Sequence, residues 1–367
     1  MSLAEPLSAE LRALLALHLV QGLGTRLTSA LLGRFGSATA TLQATAAQLQ
    51  EVPHIGPHLA QTFWAAMRQV DLAAELELME RHNVRLLVRS GADFPATLKE
   101  IPDSPHLLYL RGSLLPSDAR AVALVGSRRF TSYGRRMAER LAGDLVRAGF
   151  TVVSGLARGI DGFAHRAALQ AGGRTLAVLA GGLCHIYPPE HTELAHEIES
   201  AGAVLTEAPM PMQPLAGMFP ARNRLISGLA QGVVVIEAQE KSGALLTARH
   251  AADQGRPVFA VPGDLDRPSS TGPHHLIRQG AILIRGIEDI LEELEGVHDL
   301  PQPPPTPPAD LDEPQRRIFE FLQERPRHID ELAQQLNLSV PQITTALMKL
   351  EMKKLIRRLP GNQFERR

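Results

Sequence analysis

Between Ala121 and Gly286 the chain alternates short, nearly continuous apolar runs with stretches of helical spacing. The runs are AVALVG, TVVSG, TLAVLAGG, AVLTEAP, GVVVIEA, PVFAVPG and AILIRG. Apolar runs without polar alternation are what strands buried on both faces require, and the helical spacing between them predicts crossover helices. The pattern therefore predicts an α/β fold, a Rossmann-like, doubly wound, mostly parallel sheet whose ligands sit beyond the carboxyl ends of the strands. Ahead of it, Leu7 to Arg81 places aliphatic residues at helical spacing, broken at Gly22-Leu23-Gly24, Gly33 to Ser37 and Pro53 to Pro57, which predicts a small all-α domain. Behind it, Arg316 to Glu324, Ile329 to Leu336 and Val340 to Lys353 read as helices. LIRRLPGNQFERR follows as a strand, a Pro-Gly-Asn turn and a second strand, and three helices with a hairpin make a winged helix. PQPPPTPP between the two regions removes backbone donors and favours an extended, semi-rigid linker. The expected organisation is 1–82 helical, 83–296 Rossmann-like with its core at 121–286, 297–312 linker and 313–367 winged helix.

Length and composition narrow the class. A chain of 367 residues can bury two or three cores. A formal net charge of −1 gives no global attraction for a polyanion, so any such site must come from locally gathered arginine and lysine. No apolar run approaches the roughly 18 residues of a membrane span, and Met1 to Val20 lacks a basic leader with an apolar core, so a cytoplasmic protein is expected. The single cysteine, Cys184, can form no internal disulfide and offers no zinc cluster, which agrees with a reducing compartment.

The loops after the apolar runs carry the candidate chemistry. GSRRFTSYG (Gly126 to Gly134) stands where a dinucleotide fingerprint would, but lacks the G-x-G-x-x-G spacing. Gly126 allows a tight turn, Ser127 and Ser132 supply hydroxyls, the following helix offers free N–H groups, and Arg128 supplies a planar fork for phosphate oxygens. An alternative is that Arg128 pairs with Asp161. SGLARGIDGFAH supplies Ser154, Gly155, Arg158 and Gly159, with Asp161 as a helix cap and His165 packed or solvated. AGGLCHIYPPEH supplies Gly181 and Gly182 for close approach and Tyr187 as a stacking surface, whereas Cys184, His185 and His191 lack the supporting acid that a metal site needs. FPARNRLISG gathers Arg222, Asn223 and Arg224 as a second anion feature. Such loops suit either a mononucleotide or a nucleic-acid strand.

Taken together, GSRRFTSYG, SGLARGID followed by AH, GGL followed by YPPEH, FPARNRLISGL and the SGALLTA to VPGD stretch closely resemble the DNA-processing protein A family. DFPATLKEIPDSPHLLYLRG (Asp93 to Gly112) resembles the family's weaker upstream signature. The resemblance implies a non-enzymatic protein without a cofactor or metal, which binds and protects incoming single-stranded DNA and helps load RecA during natural transformation or repair. It places the DNA-binding arginine at Arg128, with the other glycine loops and Arg222 to Arg224 on the same face. It also implies a tail-to-tail homodimer through HHLIRQGAIL, with His274, Ile277 and Leu283 at the interface, and a RecA contact near Arg249 and Ala252. Where the family often carries a lysine after its Tyr-Pro pair, this chain has Glu190.

The flanking modules stay open. LVQGLGTRLTSALLGRF resembles a helix-hairpin-helix and EVPHIGPHLAQTF a degenerate one, of the helix-hairpin-helix or SAM-like kind, which can contact DNA or only pack. In the winged helix, Gln342, Thr345 and Lys349 share one side of the expected recognition helix, and Lys353, Lys354, Arg357, Arg358, Arg366 and Arg367 make its tail basic. That surface suits duplex DNA or a protein partner. Two other functions compete with strand binding: a Rossmann nucleotide hydrolase of the lysine-decarboxylase-like group, and a transcription regulator led by the winged helix. The first usually carries a PGGxGT loop, where this chain has VIEAQEKSGALLTA.

Overall fold

A computed structural model describes residues 7–295, 311–322, 327–336, 338–353, 355–359 and 362–366. The chain divides near residue 298 into two compact units. The expected linker lies almost wholly outside the described residues, as do Lys354, Arg367 and the Pro360-Gly361 part of the expected turn.

In the first unit nine strands form one sheet: β1 Arg85–Val88, β2 Leu107–Gly112, β3 Ala121–Val125, β4 Thr151–Ser154, β5 Thr175–Val178, β6 Ala203–Thr206, β7 Gly232–Val235, β8 Val258–Ala260 and β9 Ile282–Leu283. Their spatial order is β1-β2-β6-β5-β4-β3-β7-β8-β9. The strands β3 to β9 are the seven apolar runs, and all pair in parallel. Strands β3 to β7 are buried along their whole length, which is why no polar alternation marks them. The antiparallel pair β1-β2, which adds to β6, was not anticipated as strand.

The order fixes where a ligand can lie. From β3 the chain proceeds outward through β4, β5 and β6, then returns to the other side of β3 with β7, β8 and β9. The reversal leaves a crevice beyond the carboxyl ends of β3 and its neighbours, fed by the loops after β3, β4, β5 and β7. Helices Ser132–Arg147 and Ile160–Gln170 cover one face of the sheet, and helices Met218–Leu229 and Gly243–Asp253 pack against the other.

The N-terminal helices are built on the sheet rather than apart from it. Ala9–Leu19 and Thr25–Phe35 flank a Gly22–Gly24 hairpin, and the buried residues Leu15, Leu17, Leu31 and Phe63 share one apolar cluster with Leu107, Tyr109, Val204 and Met210. Glu75 is buried there because two donors satisfy its carboxylate: Tyr109 Oη at 2.6 Å and the Met210 N–H at 2.8 Å.

The second unit has helices Glu313–Phe321, Ile329–Leu336 and Val340–Met352 with strands β10 Arg327–His328, β11 Ile356–Leu359 and β12 Gln363–Arg366, ordered β10-β12-β11. Leu311, Ile318, Leu332, Ile343, Leu347 and Phe364 close its core. Of the expected recognition residues, Gln342 closes a capping box with Ser339, Thr345 Oγ1 donates to the Pro341 carbonyl, and Lys349 lies 3.4 Å from Asp312. No helix among the described residues is long and apolar enough to cross a membrane.

Candidate nucleic-acid interface

The loop after β3 turns on its own serine. Ser127 Oγ donates to the Arg129 carbonyl at 2.7 Å and accepts the Arg129 N–H at 3.0 Å, so this hydroxyl is consumed within the turn. The turn leaves Arg128 exposed. Among the described residues Arg128 pairs with no carboxylate, including Asp161, and its guanidinium lies 5.0 Å from the centre of the Phe219 ring. A cation held over an aromatic face keeps its in-plane N–H donors for an incoming anion.

The helix N-terminus behind that loop is already occupied. Glu237, at the end of β7, accepts the Thr131 N–H at 2.9 Å and the Thr131 hydroxyl at 2.5 Å, while Thr131 caps the helix by accepting from Gly134 at 3.1 Å. A Cβ on Gly134 would collide with the Glu237 carboxylate. A carboxylate of the protein itself is thus bonded to the N-cap residue at the helix end expected for a phosphate. Ser132 remains exposed at the first helical position.

The loop after β4 is laid against the first. Gly159 has φ +79°, and a Cβ there would strike the backbone of Ser127 and Arg128, so only glycine brings the two loops together. Asp161 does not cap the helix: its carboxylate accepts the Gly155 N–H at 3.1 Å and ties the loop to itself. Burial raises its pKa, against the opposing pull of Arg222, the backbone donors and, more weakly, the charge of Arg128. Ser154 is buried and donates to the Leu124 carbonyl at 2.6 Å. Arg158 is exposed, but its fork is filled by Glu190: Nε donates to Oε1, and Nη2 to Oε2 at 3.0 Å.

The cluster Arg222 to Arg224 does not reach the surface. Arg222 is only 7% exposed, and its Nη1 donates to the carbonyls of Gly155, at 2.7 Å, and of Val178. Its pKa falls to about 10 because burial opposes the charge, with Asp161 supporting it and Arg128 opposing it, so it stays charged at neutral pH. A Cβ on Gly155 would come within 2.5 Å of this guanidinium, which is what that glycine accommodates. Asn223 Nδ2 donates to the Gly243 carbonyl at 3.1 Å, and Arg224 is held by Asp103 and Glu207. Helix Met218–Leu229 is buried continuously from Arg222 onward, so all three side chains bond inward. Gly181 and Gly182 likewise make room for the protein's own segment 209–214, and Gly126 for Ile160.

What the strand ends do present is a short track of arginine and aromatic side chains. Arg128 lies over Phe219, Phe219 meets Tyr187 edge to face at 5.7 Å between ring centres, and Arg158 lies 5.8 Å from the Tyr187 ring. On the other side of the Arg128 loop, Phe130 is exposed and stands edge-on to Phe163 at 4.6 Å. Sequence reasoning named Arg128, Arg158 and Tyr187 but missed Phe219 and Phe130; an aromatic beside each arginine pair was the available signal.

The titratable groups beneath the track are spent on structure. Thr175 Oγ1 donates to the Val152 carbonyl, so His165 must donate its Nδ1–H to Thr175 at 2.7 Å, and burial lowers its pKa to about 3. His191 donates to the Leu156 carbonyl at 2.9 Å. Burial raises the Cys184 thiol. Among the described residues no group of three or more His, Cys, Asp and Glu could hold a metal ion.

Two further surfaces were expected from the sequence. β9 is one of the two edges of the sheet, with Leu283 45% exposed, Ile277 half-buried on the preceding helix Thr271–Arg278 and His274 bonded to the Gly263 carbonyl at 3.0 Å. Arg249 and Ala252 are exposed on helix Gly243–Asp253, beside a groove of about 890 Å³ shared with His275, Leu276 and Gln279.

Comparison with known proteins places this arrangement. Residues 85–295 match the family model for DNA recombination-mediator protein A, and residues 302–362 match the DprA winged helix domain. Protein Smf of Escherichia coli is 40% identical over 309 residues, 82% of each chain. The DNA processing protein DprA of Bacillus subtilis is 47% identical over 206 residues, 56% of this chain and 69% of that one. Among solved structures, DNA processing protein A from Streptococcus pneumoniae superposes with a TM-score of 0.68 at 35% identity, covering 77% of this chain and 98% of the other. DNA processing protein A from Helicobacter pylori, described for its unique single-stranded DNA binding mode, superposes at 0.52 with 31% identity, covering 57% of this chain and 95% of the other. The chain belongs to the DNA recombination-mediator protein A (DprA) family.

Proposed function

We propose that this protein binds single-stranded DNA across the carboxyl ends of β3, β4 and β5 as a non-enzymatic recombination mediator, protecting incoming strands and helping to load RecA during transformation or repair. The observation that carries the reading is the track from Arg128 through Phe219 and Tyr187 to Arg158. Two exposed arginines interleaved with the half-buried Phe219 ring and the exposed Tyr187 ring suit a flexible strand whose bases are free to stack, and suit a stiff duplex poorly. The single-stranded DNA binding described for the Helicobacter pylori relative supports the same ligand. We read the face as binding rather than catalytic because Asp161, Glu237, His165 and His191 are each engaged by backbone or hydroxyl groups.

The homodimer and the RecA contact belong to the same proposal. An edge strand exposing Leu283 beside Ile277 is an open pairing site, and a second copy of this edge would close it. We assign the RecA contact to Arg249 and Ala252, which are exposed with Leu246 on the same helix. The test is an anisotropy titration of the full chain with fluorescein-labelled oligothymidylate and with a duplex of similar length. The reading expects the single strand to bind more tightly and Tyr187→Ala to weaken it by about 1–3 kcal/mol, the range for one stacked base. Equal affinity for duplex, or no effect of Tyr187→Ala, contradicts it.

A further inference from the structure

Arg158 and Arg128 stand on the same face in opposite states. Arg128 is open, whereas Arg158 has both edge donors, Nε and Nη2, placed on the two oxygens of Glu190. This side-on fork is the geometry a guanidinium offers to two phosphate oxygens, so Glu190 occupies the place a backbone phosphate would take. Both partners are about half exposed, at 48% and 50%, and they come from different loops, after β4 and after β5. An exposed ion pair of this kind is weak and readily exchanged. Tyr187, three residues before Glu190, flanks the same guanidinium, so the pair lies on the track and not beside it.

We propose that Glu190 is an intramolecular competitor for the strand: it must leave Arg158 before a phosphate can bind there, and it thereby sets both the affinity and the salt dependence of the site. This rests on the single-stranded DNA reading above. In the resting protein Arg158 carries no free positive charge toward solvent, because Glu190 neutralises it. A phosphate that displaces Glu190 gains the fork but frees a carboxylate in the path of the strand. The exchange therefore releases fewer counterions than a contact with an unpaired arginine.

The test compares Glu190→Gln with the parent protein in titrations of fluorescein-labelled oligothymidylate over a range of salt. Glutamine keeps the size and one acceptor but lacks the charge that competes with phosphate. The expected result is binding about three- to tenfold tighter near physiological salt, with the salt slope steeper by about 0.7, one additional phosphate contact on a single strand. Glu193→Gln removes the same charge from an exposed residue three positions on, which has no arginine fork among the described residues, and is expected to change affinity less than twofold. An unchanged affinity for Glu190→Gln, or an equal gain from Glu193→Gln, overturns the proposal. If the parent binds the strand and Arg128→Ala weakens it while Glu190→Gln gains nothing, only the competitor role fails; if the parent does not bind at all, the underlying reading fails with it. Thermal unfolding of each variant guards against a folding artefact.

Discussion

Arg222→Ala separates a structural arginine from a DNA-binding one. The guanidinium donates from Nη1 to the Gly155 and Val178 carbonyls at the ends of β4 and β5, and its charge supports the ionised form of buried Asp161. Removing it leaves two carbonyls without their donor and one buried carboxylate without the larger of its two compensating charges, the smaller being Arg128. Hydrogen bonds to a charged donor contribute about 1.5–3 kcal/mol each, and losing one partner of a buried charge pair costs about 3–5 kcal/mol, so these overlapping effects set an expected loss near 3–5 kcal/mol. The single tryptophan, Trp64, lies in the larger unit against the cluster that joins the helices to the sheet, so its fluorescence through a urea titration reads the relevant transition. The midpoint should fall markedly, while strand binding measured where the variant is still folded should keep the parent's salt slope. A loss below about 1 kcal/mol, together with a salt slope reduced by about 0.7, would refute the structural assignment and return Arg222 to the phosphate path.

Three other outcomes follow from particular contacts. His165 is held neutral with its pKa depressed to about 3, so the unfolded chain takes up its proton first; stability present above pH 6.5 should fall by roughly 1.4 kcal/mol per unit as the pH drops toward 3. His165→Asn should flatten this slope; Asp161, whose pKa burial raises, acts with the opposite sign but is present in both proteins, so the difference between them reads the histidine, and an unaltered slope would contradict the assignment. Gly159→Ala forces a left-handed position and drives a Cβ into the Ser127 backbone, so it should cost about 2 kcal/mol or more in a urea melt, and a neutral result would show that the two loops can part. For the proposed homodimer, Leu283→Arg places a charge on the sheet edge and should leave a monomer in light scattering at a concentration where the parent is a dimer; a monomeric parent contradicts the dimer proposal, and a variant that stays dimeric contradicts this interface.

Burial was legible in this sequence, whereas side-chain direction was not. Strands β3 to β7 could be read because a parallel strand covered on both faces has to be a continuous apolar run, and β8 and β9 because they continue the same alternation toward the edge. β1 and β2 escaped because RLLV is only four residues long and LLYLRG follows a Pro-rich stretch without a crossover helix after it. Arg128 was legible as a cation on a glycine turn, and it does face outward. Arg222, Asn223 and Arg224 looked equivalent to it because composition records a charge without saying which way it points. Their helix is buried from Arg222 to Leu229, and the acceptors that receive them, Gly155, Val178, Gly243 and Asp103, lie far away in sequence. The same limit hid Glu237, whose hold on the capping Thr131, 106 residues away, depends on β3 and β7 being neighbours.

The central claim is that a single strand is gripped by an open arginine at the end of β3, and Arg128→Ala tests it most directly. Titrations of oligothymidylate across a range of salt should show weaker binding for every sequence tried, with the slope of log affinity against log salt reduced by about 0.7, one phosphate on a single strand. An Arg128→Ala protein that binds with the parent's affinity and the parent's salt slope would contradict the account.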